Sequence, residues 1–142
     1  MNDSPKSPSA VAVATGGRNC SLFSEQPEIS LDVRVPRESG GDGHGTTPNQ
    51  LFALAYAASF AAALDEVAEA EDLTTDGWQV RVTLAPVPEG TPGEFSVNVE
   101  VANSDMDEDT TRRLTTAADE ICPYARAVRG NVDITLRGCE LL

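Results

Sequence analysis

The chain has 142 residues, with 10 Lys+Arg against 23 Asp+Glu and a formal net charge of -13. That length suits one domain with a real core, and a hydrophobic content of 40% is too high for a disordered acidic tail. The negative field repels phosphate backbones and anionic lipid heads, so neither a nucleic-acid partner nor a membrane is expected, and a single histidine, His44, excludes a His-rich metal centre.

The three cysteines, Cys20, Cys122 and Cys139, are odd in number and form no C-x-x-C, whereas a secreted disulfide scaffold would be denser and even-numbered. Met1 to Ala10 is polar, carries two prolines and lacks the apolar run of a signal peptide. A cytoplasmic protein with reduced thiols is expected, with a flexible tail over residues 1–9 and one domain over 10–142.

From Ala10 the sequence alternates, with Val11, Val13 and Thr15 on one side of a short strand that ends at the Gly16-Gly17 turn. A second strand is predicted near Ser21 to Phe23. A third runs from Ile29 to Val35, with Ile29, Leu31, Val33 and Val35 on one face, and Pro36 ends it. The loop from Arg37 to Thr46 holds four glycines, but their spacing fails the dinucleotide fingerprint because Thr46 stands where the third glycine belongs. Positive φ or close backbone packing would account for them.

Thr47-Pro48-Asn49-Gln50 reads as a helix start: Thr47 as N-cap, Pro48 at the first helical position, Gln50 completing a capping box. The run from Leu51 to Leu64 is apolar apart from the hydroxyls of Tyr56 and Ser59, so a core helix buried on all sides is expected. Fourteen residues are too few to span a bilayer, and Asp65-Glu66 would stop the run. Trp78 to Pro86 and Glu94 to Ala102 form two strands around a Pro/Gly-rich hairpin loop. Ser104 or Asp105 would cap an amphipathic helix through about Ile121, which Pro123 interrupts. Val132 to Leu136 is a last alternating strand. The order predicts an α+β fold with antiparallel sheet.

A buried serine hydroxyl can bond back to its own i-4 carbonyl at little cost, and a free cysteine is commonly a small buried hydrophobe; these are the plain readings of Ser59 and Cys122. Cys139-Glu140-Leu141-Leu142 has the length of a prenylation signal, but glutamate is a poor second residue and no polybasic stretch precedes it. Asn19-Cys20-Ser21 fits a glycosylation sequon without a secretory signal. Arg112-Arg113, Arg126 and Arg129 lie among acids and read as solvated faces or dimer contacts.

Several short motifs then align in order: Ala14-Thr15-Gly16-Gly17-Arg18, Pro36-Arg37-Glu38, Thr47-Pro48-x-Gln50-Leu51-Phe52-Ala53, Tyr56-Ala57-Ala58-x-Phe60, Met106-Asp107, Cys122-Pro123-Tyr124 and Arg129-Gly130-Asn131-Val132-Asp133. Together, over about residues 10 to 137, the chain resembles the organic hydroperoxide resistance proteins, a branch of the OsmC-like superfamily. The resemblance implies antiparallel sheets packed around a central buried helix in an intertwined homodimer. It implies a thiol peroxidase for organic and fatty-acid hydroperoxides. A peroxidatic cysteine becomes a sulfenic acid, a resolving cysteine condenses with it, and a lipoyl group on a carrier protein (dihydrolipoamide in an assay) reduces the disulfide. No bound cofactor and no metal are implied.

Carried over residue by residue, Arg18 matches the arginine that stabilises the thiolate and Cys122 the resolving cysteine. Ser59 stands at the peroxidatic position and Asn49 at that of the glutamate that orients the arginine. A serine hydroxyl titrates far above the reach of site-induced shifts and cannot form a sulfenic acid. Asn49 supplies no charge. Impaired peroxidase activity is therefore expected. Three accounts stay open: a substitution that freezes an active enzyme, a relative that lost the chemistry, or a thiol relocated to Cys20, two residues past Arg18. The alternative to an enzyme is a protein that binds an apolar carboxylate, such as a fatty acid, in the same pocket.

Overall fold

The computed structural model describes residues 9–73, 76–139 and 142. Residues 1–8 of the expected tail lie outside the described residues, as do Glu140 and Leu141 of the C-terminal tetrapeptide. Contacts divide the chain into two compact units, Met1–Leu51 and Phe52–Leu142.

In the first unit, β1 (Ala12–Gly16), β2 (Cys20–Ser24) and β3 (Ile29–Val33) form an antiparallel meander. The register pairs Val13 with Phe23, Leu22 with Leu31 and Cys20 with Val33. Strand β3 ends two residues earlier than the alternation predicts because the next amides are already engaged. Arg34 donates its N–H to the Thr46 carbonyl at 3.1 Å, and Val35 donates to Asn19 Oδ1 at 2.9 Å. The glycine loop thus folds back along β3, and Thr46 returns an N–H to the Asp32 carbonyl at 2.8 Å. At Gly45 a Cβ would sit 2.6 Å from the Asp32 carbonyl oxygen, so close backbone approach is what requires glycine there. His44 is exposed in this loop, its amide donating to Asp42 Oδ1 at 2.9 Å.

The long helix α1 spans Pro48–Glu69 and crosses the boundary between the units in its first turn. Thr47 Oγ1 accepts from the Gln50 amide at 3.1 Å, while the Gln50 side-chain oxygen accepts from Thr46 Oγ1 at 3.2 Å, so only half of the expected capping box forms. The helix runs past Asp65-Glu66, which serve its polar side, and glutamate is a good helix former. Beyond it the chain turns through Asp72, whose φ is +54°. The buried side chains are Tyr56, Phe60, Ala63, Leu64 and Ala68. That i, i+4, i+7, i+8 spacing is a stripe, so within the chain α1 is not buried on all sides; Leu54 is 66% exposed. At 22 residues α1 is long and apolar enough to cross a membrane by length and composition alone, whereas the 14-residue apolar run by itself predicts a segment too short to do so. Its buried stripe packs against β5 and α2 in the core.

In the second unit, β4 (Trp78–Pro86) and β5 (Phe95–Asn103) make the expected antiparallel hairpin. Helix α2 (Glu108–Ile121) follows, then the short α3 (Pro123–Val128) and β6 (Ile134–Cys139). Strand β6 pairs with β5 in parallel, giving the order β4-β5-β6. The antiparallel expectation is corrected here: α2 and α3 form a crossover that returns the chain to the same end of the sheet. The N-cap of α2 is Asp107, whose carboxylate accepts from the Thr110 amide at 2.7 Å, rather than Ser104 or Asp105. The core joins α1 to Val97, Val99 and Val101 of β5, Leu114 and Ala118 of α2, then Cys122 and Ala125. Each fully buried Val, Leu or Phe side chain contributes roughly 1.5–3 kcal/mol. Helix α2 lies directly on β6: a Cβ at Gly138 would meet the Arg112 Cα at 2.6 Å.

Candidate functional site

Cys122 occupies the corner between two helices. Its N–H donates to the Ala118 carbonyl at 2.8 Å, ending α2, and its carbonyl accepts from Arg126 at 3.0 Å, starting α3 with Pro123 in the first turn. With the backbone committed to both helices at φ -58° and ψ 120°, the fully buried side chain is directed into the core. There Cys122 Sγ lies 3.6 Å from Ser59 Oγ on α1, and either atom can donate. The half-buried Ser59 hydroxyl therefore spends its hydrogen bond on a thiol 63 residues away, not on the i-4 carbonyl of its own helix.

Tyr56 precedes Ser59 by about one turn and is fully buried. Its ring packs 6.1 Å from Phe52 and 6.2 Å from Tyr124, and Phe52 continues to Phe95 at 5.7 Å, an aromatic wall beside the thiol. The Tyr56 phenol is pushed up to about 12, first by burial, then by the Asp119 charge and the Cys122 thiol, with Arg129 acting in the opposite sense. It remains a neutral hydrogen-bond donor at any physiological pH. Among the described residues, the buried side-chain polar atoms without a partner are Tyr56 Oη, Asp119 Oδ1 and Trp78 Nε1. The other Asp119 oxygen accepts from Arg129 at 2.7 Å.

The remaining candidates belong to the first unit. Arg18 is exposed in the turn between β1 and β2. Cys20 opens β2, half-buried, so the two are not alternate residues of one strand. Asn49 is exposed in the first turn of α1. Cys139, by contrast, belongs to the second unit, buried in β6 with its Sγ 3.5 Å from the Val101 carbonyl. Among the described residues, no group of three or more His, Cys, Asp or Glu is placed to hold a metal ion.

Reading the sequence did not single out Asp119, and it read Arg129 as part of a solvated face or a dimer contact; Arg129 is exposed, and its guanidinium also bonds Asp119. The available signal was position: Thr111, Thr115, Ala118 and Cys122 trace the buried side of α2, and Asp119 borders that stripe, three residues before the thiol.

Residues 41–137 match the family described as OsmC-like protein. Over 130 residues the chain is 39% identical to the organic hydroperoxide resistance protein of Xanthomonas axonopodis pv. citri (strain 306), covering 89% of this chain and 91% of that one. It is 34% identical over 129 residues to the organic hydroperoxide resistance protein OhrB of Bacillus subtilis (strain 168), covering 89% and 94%. The crystal structure of Bacillus subtilis OhrB superposes with a TM-score of 0.78 at 32% identity, over 91% of this chain and 96% of that one. An organic hydroperoxide resistance protein of Vibrio cholerae, with a molecule of captopril bound in one of its active sites, superposes at 0.82 with 34% identity over 99% of both chains. Two small sheets with helices, the ordered motifs and these relatives agree: the chain belongs to the OsmC-like family, in its organic hydroperoxide resistance branch.

Proposed function

We propose that this protein serves the oxidative-stress response as a cytoplasmic homodimer whose organic hydroperoxide site is impaired at its attacking position. The 3.6 Å approach of Ser59 Oγ to Cys122 Sγ carries this reading. In the family cycle a thiolate takes the distal oxygen of R–OOH, releasing ROH and becoming a sulfenic acid. A second thiol then displaces water to form the disulfide, and a dihydrolipoyl group restores both thiols. Cys122 fits the second role. Ser59, in the first, can neither ionise nor hold the transferred oxygen as a sulfenic acid. Arg18 and Asn49 take the roles of the thiolate-stabilising arginine and its orienting partner, the latter without charge. A lipoylated carrier protein is the proposed source of electrons.

A second reading is binding without turnover, with an apolar carboxylate lying in the pocket. The aromatic wall of Phe52, Tyr56 and Tyr124, with a buried phenol that lacks a partner, favours it.

Consumption of cumene hydroperoxide with dihydrolipoamide tests the proposal. The parent should be inactive or weak, Ser59→Cys should gain turnover, and adding Asn49→Glu should raise it further. Strong parent activity that disappears with Cys20→Ser would move the attacking thiol to Cys20. A Ser59→Cys, Asn49→Glu protein that stays inert but binds a fatty acid would favour the binding reading.

A further inference from the structure

The corner that carries Cys122 has its own fastening. Arg129 closes α3, and its Nη2 reaches back to the last turn of α2. There it donates to the Asp119 carbonyl at 2.7 Å and to carboxylate Oδ2 at 2.7 Å, while Nη1 lies 3.8 Å from the Glu120 carboxylate. Within a helix the Asp119 carbonyl would accept from the amide four residues on. That residue is Pro123, which has no N–H. The guanidinium therefore supplies the donor that the proline removes, and in doing so it ties the two ends of the corner together with Cys122 between them.

The pair is shielded on its carboxylate side, while the guanidinium stays 41% exposed. The Asp119 side chain is 13% exposed, and its second oxygen is buried beside the site. On α1 opposite stand Tyr56 and Ser59; the Tyr56 phenol feels both Asp119 and Cys122. The angle between α2 and α3 sets where Sγ points, and a change of about 1 Å at a corner is enough to take a thiol out of bonding reach.

We propose that Arg129 and Asp119 are positioning residues for the Cys122 thiol, their clamp across the α2–α3 corner holding Sγ within reach of position 59 on α1. The inference rests on reading Cys122 as the working thiol of the site. Its test reads the disulfide directly and needs no peroxidase turnover. In the S59C protein, oxidised dithiothreitol takes two electrons and two protons from the paired thiols as the protein disulfide forms. The equilibrium with reduced and oxidised dithiothreitol is measured by quenching and peptide mass mapping of the Cys122 linkage.

Adding Arg129→Met should lower the disulfide equilibrium constant by about tenfold or more, and Arg129→Lys should recover part of the loss. Asp119→Ala should weaken it in the same direction. Val99→Ala, in β5, is the control: it should lower the melting temperature and leave the disulfide equilibrium within about twofold. An Arg129→Met protein that loses thermal stability but keeps the S59C equilibrium would overturn the proposal, since Arg129 would then be only structural. A S59C protein that forms no linkage to Cys122 would overturn both the proposal and the site reading beneath it.

Discussion

Removing one heavy atom, the hydroxyl oxygen of Tyr56, should stabilise the protein at neutral pH and widen that advantage over the parent in the alkaline range. The side chain is fully buried and its Oη has no partner, a state that costs about 1–3 kcal/mol. Tyr56→Phe deletes that oxygen and keeps the ring, with its contacts to Phe52 at 6.1 Å and Tyr124 at 6.2 Å. At neutral pH the variant should be more stable by about 1 kcal/mol, a rise of roughly 2–5 °C in Tm for a chain of this size. At alkaline pH the parent carries a penalty that the variant lacks. The phenol moves from 10.0 to about 12 on folding, chiefly through burial. Below the unfolded value its contribution is complete. Above it the unfolded chain releases a proton that the folded one keeps, so parent stability falls by about 2–3 kcal/mol as pH rises from 10 to 12. Urea unfolding followed by circular dichroism, at pH 7 and in steps through the alkaline range, measures both effects. A Tyr56→Phe protein that is less stable than the parent at pH 7 would refute the reasoning, because Oη would then have a favourable partner. An unchanged alkaline slope would refute the titration argument separately.

Other substitutions probe the frame that carries the site. Gly138→Ala would press a methyl against the Arg112 backbone, 2.6 Å from its Cα, and should cost about 1–3 kcal/mol in urea unfolding. Leu114→Ala, at a fully buried α2 position, should cost about 2–5 kcal/mol in the same assay. Asp107 is held below the usual carboxylate range by its bonds to Thr110. Its contribution is therefore present above the unfolded value and lost as pH falls through the folded one, so Asp107→Ala should lower Tm at neutral pH and flatten the acid arm of stability.

Much of the fold could be read from residue order, because local chemistry fixes local structure. The alternation of β4, the stripe of α2 and the Thr47-Pro48 start of α1 all sit where their patterns put them. Choices that depend on distant partners could not be read that way. Alternation in β6 reports which residues share a face, not which way the neighbouring strand runs, and so the parallel pairing with β5 was invisible. Ser104, Asp105 and Asp107 are all good N-caps by type, and only the backbone decides which carboxylate reaches the third amide. The meeting of Ser59 with Cys122 spans 63 residues and was accessible only through family resemblance. Arg129 looked like any arginine among acids, since nothing in a linear pattern says that Pro123 leaves a carbonyl for it to serve.

The parallel pairing of β6 also fixes an order of events during synthesis. Strand β5 is the middle strand of its sheet, yet one of its two neighbours, residues 134–139, is made after every other element of the unit. Until then β5 offers a valine-rich edge with unpaired backbone groups, and α2 has no strand beneath it at Gly138. A ribosome-bound chain stopped short of β6 should therefore be sticky and recruit chaperones despite having more than nine-tenths of its sequence in place. Pairing of the last strand, more than formation of any helix, should then be the event that turns this unit from a client into a folded protein.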